Sequence, residues 1–290
     1  MKNMIAAGFW AVAAAALIAP SVAAAGTATA AESASTPEQD RVAMQRYYAG
    51  MLPGINPDKF VHGSVPLDPS LRAQWKDIME FPPFTFAVDH GKDLFQQPLA
   101  DGKHYADCFD NGGIGIRQTY PRFDTQTGQV VTLESAINAC RVEHGDKPLA
   151  PERGDLAAIS AYMASTSEGK RFDIKVPDDP RALAAYEDGK RIFYSRRGQL
   201  NFSCASCHVQ LAGKHLRLQV VSPALGMVSQ FPIYRSTWGD MGTLDRRFSE
   251  CFEQVRAMPL AAQSEQYRNL EYFLTYMSNG LPVAGPGAQP

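Results

Sequence analysis

The chain has 290 residues and a mass of 31.7 kDa, with 45% hydrophobic residues, 20% charged residues and a formal net charge of −2. That composition suits a packed globule and excludes disordered, collagen-like and coiled-coil chains. The near-neutral charge gives no electrostatic case for binding nucleic acid or an anionic membrane surface. The cysteine count, five, is odd.

Met1-Lys2-Asn3 opens the chain, followed by an apolar run from Met4 to Ala19, then Pro20 and small residues. A short basic start, a short apolar core and an A-x-A-type site describe a secretory signal peptide over residues 1–25. A second small-residue site at Ala28 to Ala31 puts cleavage as late as residue 31. The apolar run is shorter than the ~20 residues a membrane span needs. No later stretch is long and apolar enough to cross a bilayer. The expected location is the bacterial periplasm, where disulfides persist.

Residues 35 to 85 hold Pro, Met and aromatic residues in short helical patterns, and are expected to wrap a first domain. Three segments then occur twice, in the same order. Asp89-His90-Gly91-Lys92-Asp93-Leu94-Phe95 resembles Glu187 to Phe193, with an offset of 98. Leu133 to Cys140 resembles Leu244 to Cys251, offset 111, and Leu156 to Met163 resembles Leu270 to Met277, offset 114. Ordered matches of this kind indicate two copies of one domain with small insertions. The reading gives residues 35–175 and 176–290, joined by a polar linker at 172–180 that carries Pro177 and Pro180. The tail from Gly280 to Pro290 is expected to pack poorly.

The second copy contains Cys204-Ala205-Ser206-Cys207-His208, the C-x-x-C-H attachment motif of c-type haem. Two thiols at this spacing reach the two vinyl groups of one porphyrin, and the histidine binds the iron. A redox C-x-x-C and half a zinc site are the competing readings. A zinc site needs a second ligand pair at short spacing, which the chain lacks. In the first copy the corresponding stretch is Cys108-Phe109-Asp110-Asn111-Gly112. Asn111 and Gly112 replace the second cysteine and the histidine, so this copy cannot attach or ligate haem in the usual way. Cys108 and Cys140 then fall on either side of an emptied pocket, where a disulfide would close a loop of about 33 residues. In the chain-entropy model such a bridge stabilises by roughly 3–4 kcal/mol.

Cys251 has no partner left. It lies 43 residues after His208, a plausible distance for the ligand on the other face of the iron. Met241 and Met258 compete for that role, but neither has a counterpart in the first copy, whereas Cys251 aligns with Cys140. Arg247 stands four residues before Cys251, on the same helical face, with Arg246 and Arg256 nearby. A cation beside a thiol favours the thiolate, and arginine suits a tetrahedral oxyanion.

Through the repeat, the C-x-x-C-H motif and Arg247-Phe248-Ser249-Glu250-Cys251, the mature chain resembles the SoxA family, the c-type cytochrome subunits of SoxAX in bacterial thiosulfate oxidation. The resemblance implies a mainly α fold of two tandem cytochrome c-like domains. Asn111 and Gly112 place the chain with single-haem members, whose first domain carries no haem. It further implies one covalent haem c on Cys204 and Cys207, with His208 and Cys251 as axial ligands. Cys251 is the implied active-site cysteine, found as a persulfide, and Arg247 the implied substrate-binding residue. The implied reaction is S-thiosulfotransfer: thiosulfate is joined oxidatively to a cysteine of the carrier SoxYZ. The implied partner is the monohaem cytochrome SoxX, in a SoxAX heterodimer. The alternative is a simple periplasmic electron carrier, which would be expected to use methionine and would not need Arg247.

Overall fold

A computed structural model describes residues 35–217 and 219–290. The expected signal peptide lies outside these residues. In chain order the helices are α1 (Pro37–Met51), α2 (Pro69–Glu80), α3 (Thr85–Gln96), α4 (Tyr105–Cys108), α5 (Leu133–Glu143) and α6 (Asp155–Ser165). They continue as α7 (Pro180–Tyr194), α8 (Cys204–His208), α9 (Leu244–Gln254) and α10 (Glu265–Met277). Short strands connect them: β1 (Arg122–Asp124), β2 (Gln129–Val131), β3 (His215–Leu216), β4 (Gln219–Val220), β5 (Ile233–Arg235), β6 (Asp240–Gly242) and β7 (Gly287–Gln289). None of the described helices is long and apolar enough to cross a membrane.

The helix starts are written locally. Asp68 and Asp179 accept hydrogen bonds from the first free N–H groups of α2 and α7, and Pro69 and Pro180 take the first helical position. Thr36 and Gln39 form a capping box on α1.

The fold is a mainly α tandem repeat. Antiparallel β1–β2 followed by α5 recurs as β5–β6 followed by α9, at a constant offset of 111. In each half the first long helix crosses the last at a glycine. A Cβ on Gly91 would lie 1.9 Å from the Ala158 carbonyl oxygen, and one on Gly189 would lie 2.0 Å from that of Asn269. Ala158 therefore corresponds to Asn269. The last-helix offset is 111, not the 114 read from sequence, a shift of three residues and close to one helical turn. At offset 111 Leu156, Tyr162 and Met163 correspond to Tyr267, Phe273 and Leu274, so α10 presents apolar residues to the same pattern in both registers.

Three expectations fail. The segment from residue 35 wraps the second half, not the first: Met44, Tyr48, Phe60 and Val61 share one core with Tyr186, Phe193, Leu270 and Phe273. An amphipathic helix has no intrinsic address, and Met and aromatic residues fit either core. The stretch 172–180 begins as packed chain, because Phe172 and Ile174 are buried in that same core. The tail is also packed. β7 pairs in parallel with β5, and Leu281, Val283 and Ala288 are buried. A parallel partner cannot be read from a tail of small residues, since the alternation signal is absent.

In the first half, Cys108 and Cys140 form a disulfide that joins α4 to α5. Asn111 and Gly112 take left-handed backbone, with φ of 50° and 61°. The chain therefore turns where the second half continues as helix α8 to His208. A smaller core of Phe95, Tyr105, Phe109, Leu133, Ile137 and Met163 packs this half.

The seam between the halves holds buried acids. Glu134 accepts from Ser160, and Glu271 faces Arg117 at 3.8 Å. Asp245 accepts from the Gln263 backbone and side chain. Burial, with Glu134 and Glu152 beside it, pushes the Asp245 carboxyl up to about 7 against those hydrogen bonds. Burial and then Glu134 push Glu271 well up too, with Arg117 opposing.

Alanine is the better helix former by about 1 kcal/mol, yet Gly189→Ala should destabilise by about 3 kcal/mol in chemical denaturation, because backbone cannot give way. An unfolded aspartate titrates near ~3.9, so between there and about 7 the folded chain holds the extra proton. The Asp245 contribution to stability therefore falls as pH rises through that window. Asp245→Asn should match the wild type in thermal midpoint near pH 4 and gain several degrees on it by pH 8.

Candidate functional site

The C-x-x-C-H residues form α8 because Ser203 caps it. The Ser203 hydroxyl accepts from the Ser206 N–H at 3.0 Å, and the Ser206 hydroxyl accepts from the Ser203 N–H at 3.1 Å. The reciprocal pair makes so short a helix possible. Tyr48 of α1 holds its far end, donating to the His208 carbonyl at 2.6 Å and accepting from the Ala224 N–H at 3.0 Å. The phenol is fully buried.

His208 Nδ1 lies 2.9 Å from the Ser222 carbonyl oxygen. A carbonyl only accepts, so the ring hydrogen belongs on Nδ1 and Nε2 carries the free lone pair. Burial drives the imidazole pKa down to about 4, Arg247 adding to the effect and the Ser222 bond opposing it. The ring is neutral, as an iron ligand must be.

Cys204, Cys207 and Cys251 are the free cysteines among the described residues. Burial pushes the Cys204 thiol up to about 12, with Cys251 adding and Arg197 opposing. Cys207 is raised by burial and by Cys251. A redox C-x-x-C has the opposite character, a lowered thiol pKa. Two partly buried thiols at this spacing, followed by a neutral histidine with Nε2 free, fit a covalent haem c.

Cys251 sits on α9, close enough for its charge to bear on both motif thiols. Arg247, one turn earlier, is mostly buried. Burial works against its charge, but Cys251 and then Glu250 hold its pKa above the ordinary value. Arg247 Nη1 donates to Glu250 Oε2. The structure thus brings together Cys204, Cys207, His208, Arg247 and Cys251. It keeps the methionines away: Met241 packs with Ala157 and Ala161, and Met258 is 88% exposed. Arg256 is exposed, whereas Arg246 stacks on Trp238 at 4.3 Å.

Several contributors have no motif. Tyr48 and Ser222 meet α8 only through tertiary packing. Arg235 also reaches the site, donating from Nη1 to Glu250 Oε2 at 2.7 Å. Its one sequence signal is the repeat, in which the aligned residue is Asp124.

A family model described as SoxA/TsdA, cytochrome c domain matches residues 90–172 and 188–283, more than half of the chain. The chain belongs to the SoxA family. The two matched segments coincide with the two halves of the repeat, so each half is a cytochrome c-type domain by family as well as by fold. The chain is 51% identical to the L-cysteine S-thiosulfotransferase subunit SoxA of Allochromatium vinosum over 257 residues, covering 88% of this chain and 91% of that one. It is 49% identical to the SoxA subunit of the same name from Chlorobaculum thiosulfatiphilum over 245 residues, covering 84% and 85%. Among solved structures, the crystal structure of SoxXA from P. pantotrophus matches with a TM-score of 0.69 and 30% identity. That match covers 77% of this chain and 84% of the other.

Tyr48→Phe removes the donor to the His208 carbonyl, and should cost about 1–2 kcal/mol. A thermal midpoint lowered by roughly 3–6 °C is expected, and an unchanged midpoint would show that α1 does not hold α8.

Proposed function

We propose that this chain is the SoxA-type subunit of an S-thiosulfotransferase, joining thiosulfate oxidatively to a cysteine of the sulfur carrier SoxYZ. The observation that carries the reading is a free thiol, Cys251, placed beside the two motif cysteines with Arg247 one turn away on the same helix face. Cys204 and Cys207 would hold one haem c covalently, and His208 and Cys251 would bind its iron. Bound there, it supplies a one-electron acceptor beside the sulfur.

Each residue then has a task. Arg247 binds the sulfonate end of thiosulfate through its planar donor fork. Cys251, as thiol or persulfide, holds the sulfur being transferred. The carrier thiolate and thiosulfate together bear three negative charges. Their conjugate, cysteine-S–S–SO3⁻, bears one, so two electrons leave as one S–S bond forms. One one-electron acceptor would not be enough for two electrons, which calls for a second. The monohaem partner SoxX fits that need, and the family likeness to SoxXA supports it. The export signal expected in residues 1–25 and the Cys108–Cys140 disulfide both suit the periplasm.

Cys251→Ala in the assembled complex should abolish thiosulfate-dependent transfer to SoxYZ, with haem still attached. Full turnover by that variant would refute the catalytic role. Mass spectrometry of the intact chain should give one haem and added sulfur on Cys251. Two haems, or Cys251 tied up in a disulfide, would overturn the assignment.

A further inference from the structure

Arg235 is a buried cation at this site with no part in the proposed reaction. It ends β5 and is 4% exposed, a rare state for arginine without full pairing. Its Nη1 bonds Glu250 Oε2, and its guanidinium lies 5.1 Å from the Trp238 ring centre. Its Nε is buried with no hydrogen-bond partner. Arg247 bonds the same Glu250 oxygen, so one carboxylate serves two guanidinium groups. Arg246 lies over Trp238 as well. Two cations thus share a single carboxylate, Arg247 about one turn before Cys251 on α9 and Arg235 on β5, with Arg246 held over the neighbouring indole. Burial and the neighbouring Arg247 both work against the Arg235 charge, while Glu250 and Cys251 favour it.

The first half is an internal control. At an offset of 111, the places of Arg235, Trp238, Arg246, Arg247 and Glu250 are taken by Asp124, Thr127, Ser135, Ala136 and Ala139. The same hairpin and helix form there without a cation or a carboxylate from α5 at these places. The fold therefore does not require the cluster. It occurs only in the half that keeps a free thiol. Gly242 makes room for it, since a Cβ there would stand 2.5 Å from Trp238 and 2.8 Å from the Arg246 side chain.

Buried like charges repel strongly in a low-dielectric site, and an anion bound between them relieves that repulsion. Two guanidinium planes turned to one point suit a tetrahedral oxyanion, and two cations suit a dianion better than a monoanion. We propose that Arg235 is a second substrate-binding residue, which together with Arg247 grips the sulfonate of thiosulfate while Glu250 holds the two forks in register. The inference rests on the functional reading given above and adds the residue that selects for a doubly charged substrate.

The test uses the full haem-loaded complex. Binding of radiolabelled thiosulfate is measured by equilibrium dialysis, without carrier, alongside the haem spectrum and thermal midpoint. Arg235→Gln should weaken thiosulfate at least tenfold and weaken competing sulfate by the same factor, with spectrum and midpoint unchanged. Arg235→Lys keeps the charge but not the fork, and should fall between. Wild-type affinity in Arg235→Gln overturns the proposal. So does a loss of affinity accompanied by a shifted haem spectrum, which would assign Arg235 to seating the cofactor. If Arg235→Gln fails to accumulate, wild-type affinity in Arg235→Lys overturns it instead. A wild-type complex that binds thiosulfate but never transfers it sinks the functional reading alone. Turnover with Arg235→Gln unchanged in affinity sinks this inference alone.

Discussion

Gly189 lies so close to the Asn269 carbonyl that no side chain fits between them. This contact sets where α7 crosses α10, and that crossing decides what surrounds the C-x-x-C-H turn. Gly91 makes the equivalent contact with Ala158 in the other half. Both domains are thus built on one close backbone approach, and the helix-forming advantage that alanine would bring is given up for it. Around the second crossing, Tyr186, Phe193 and Phe273 pack as an aromatic cluster. α1 closes over it, with Tyr186 and Lys190 both bonded to Asp40.

The two halves show one scaffold under opposite demands. In the second, α8 continues to His208, whose ring is oriented by the Ser222 carbonyl, and Cys251 is left free. In the first, α4 stops at Cys108 with Phe109 extended, Asn111 and Gly112 turn left-handed where the second half is helical, and Cys108 is tied to Cys140. The aligned cysteines Cys140 and Cys251 therefore have opposite fates. One is locked by a covalent bond between protein elements; the other remains available for chemistry.

Charge is divided along the same line. Acids collect at the seam, where Glu134, Asp245 and Glu271 lie close together and Arg117 faces Glu271, and burial keeps part of that charge protonated. Cations collect near Cys251, where Arg235 and Arg247 share the Glu250 carboxylate and Arg246 stacks on Trp238. An acidic seam can relieve its strain by taking up protons. Arginine cannot lose its proton in water, so a cluster of arginines is relieved only by an anion. That asymmetry gives the thiol site its chemical character.

Local chemistry was legible from sequence. C-x-x-C-H names its cofactor because covalent attachment demands that spacing, and the lost second cysteine and histidine of the first copy could be read by alignment within the chain. Arg247 and Cys251 were legible because four residues make one helical face. The register of the last helix was not legible, since Tyr267, Leu270, Phe273, Leu274 and Met277 place apolar residues about a turn apart along α10 and only the glycine contact picks the right match. Nor were the placement of α1 on the second half, the β5–β7 pairing, or the approach of Arg235, Ser222 and Tyr48 to the site. Those residues act across long separations in the chain. Sequence alone determined which atoms could do chemistry, because motif spacing is a local property. The tertiary structure decided which side chains orient and charge them, because those contacts exist only once the helices have crossed.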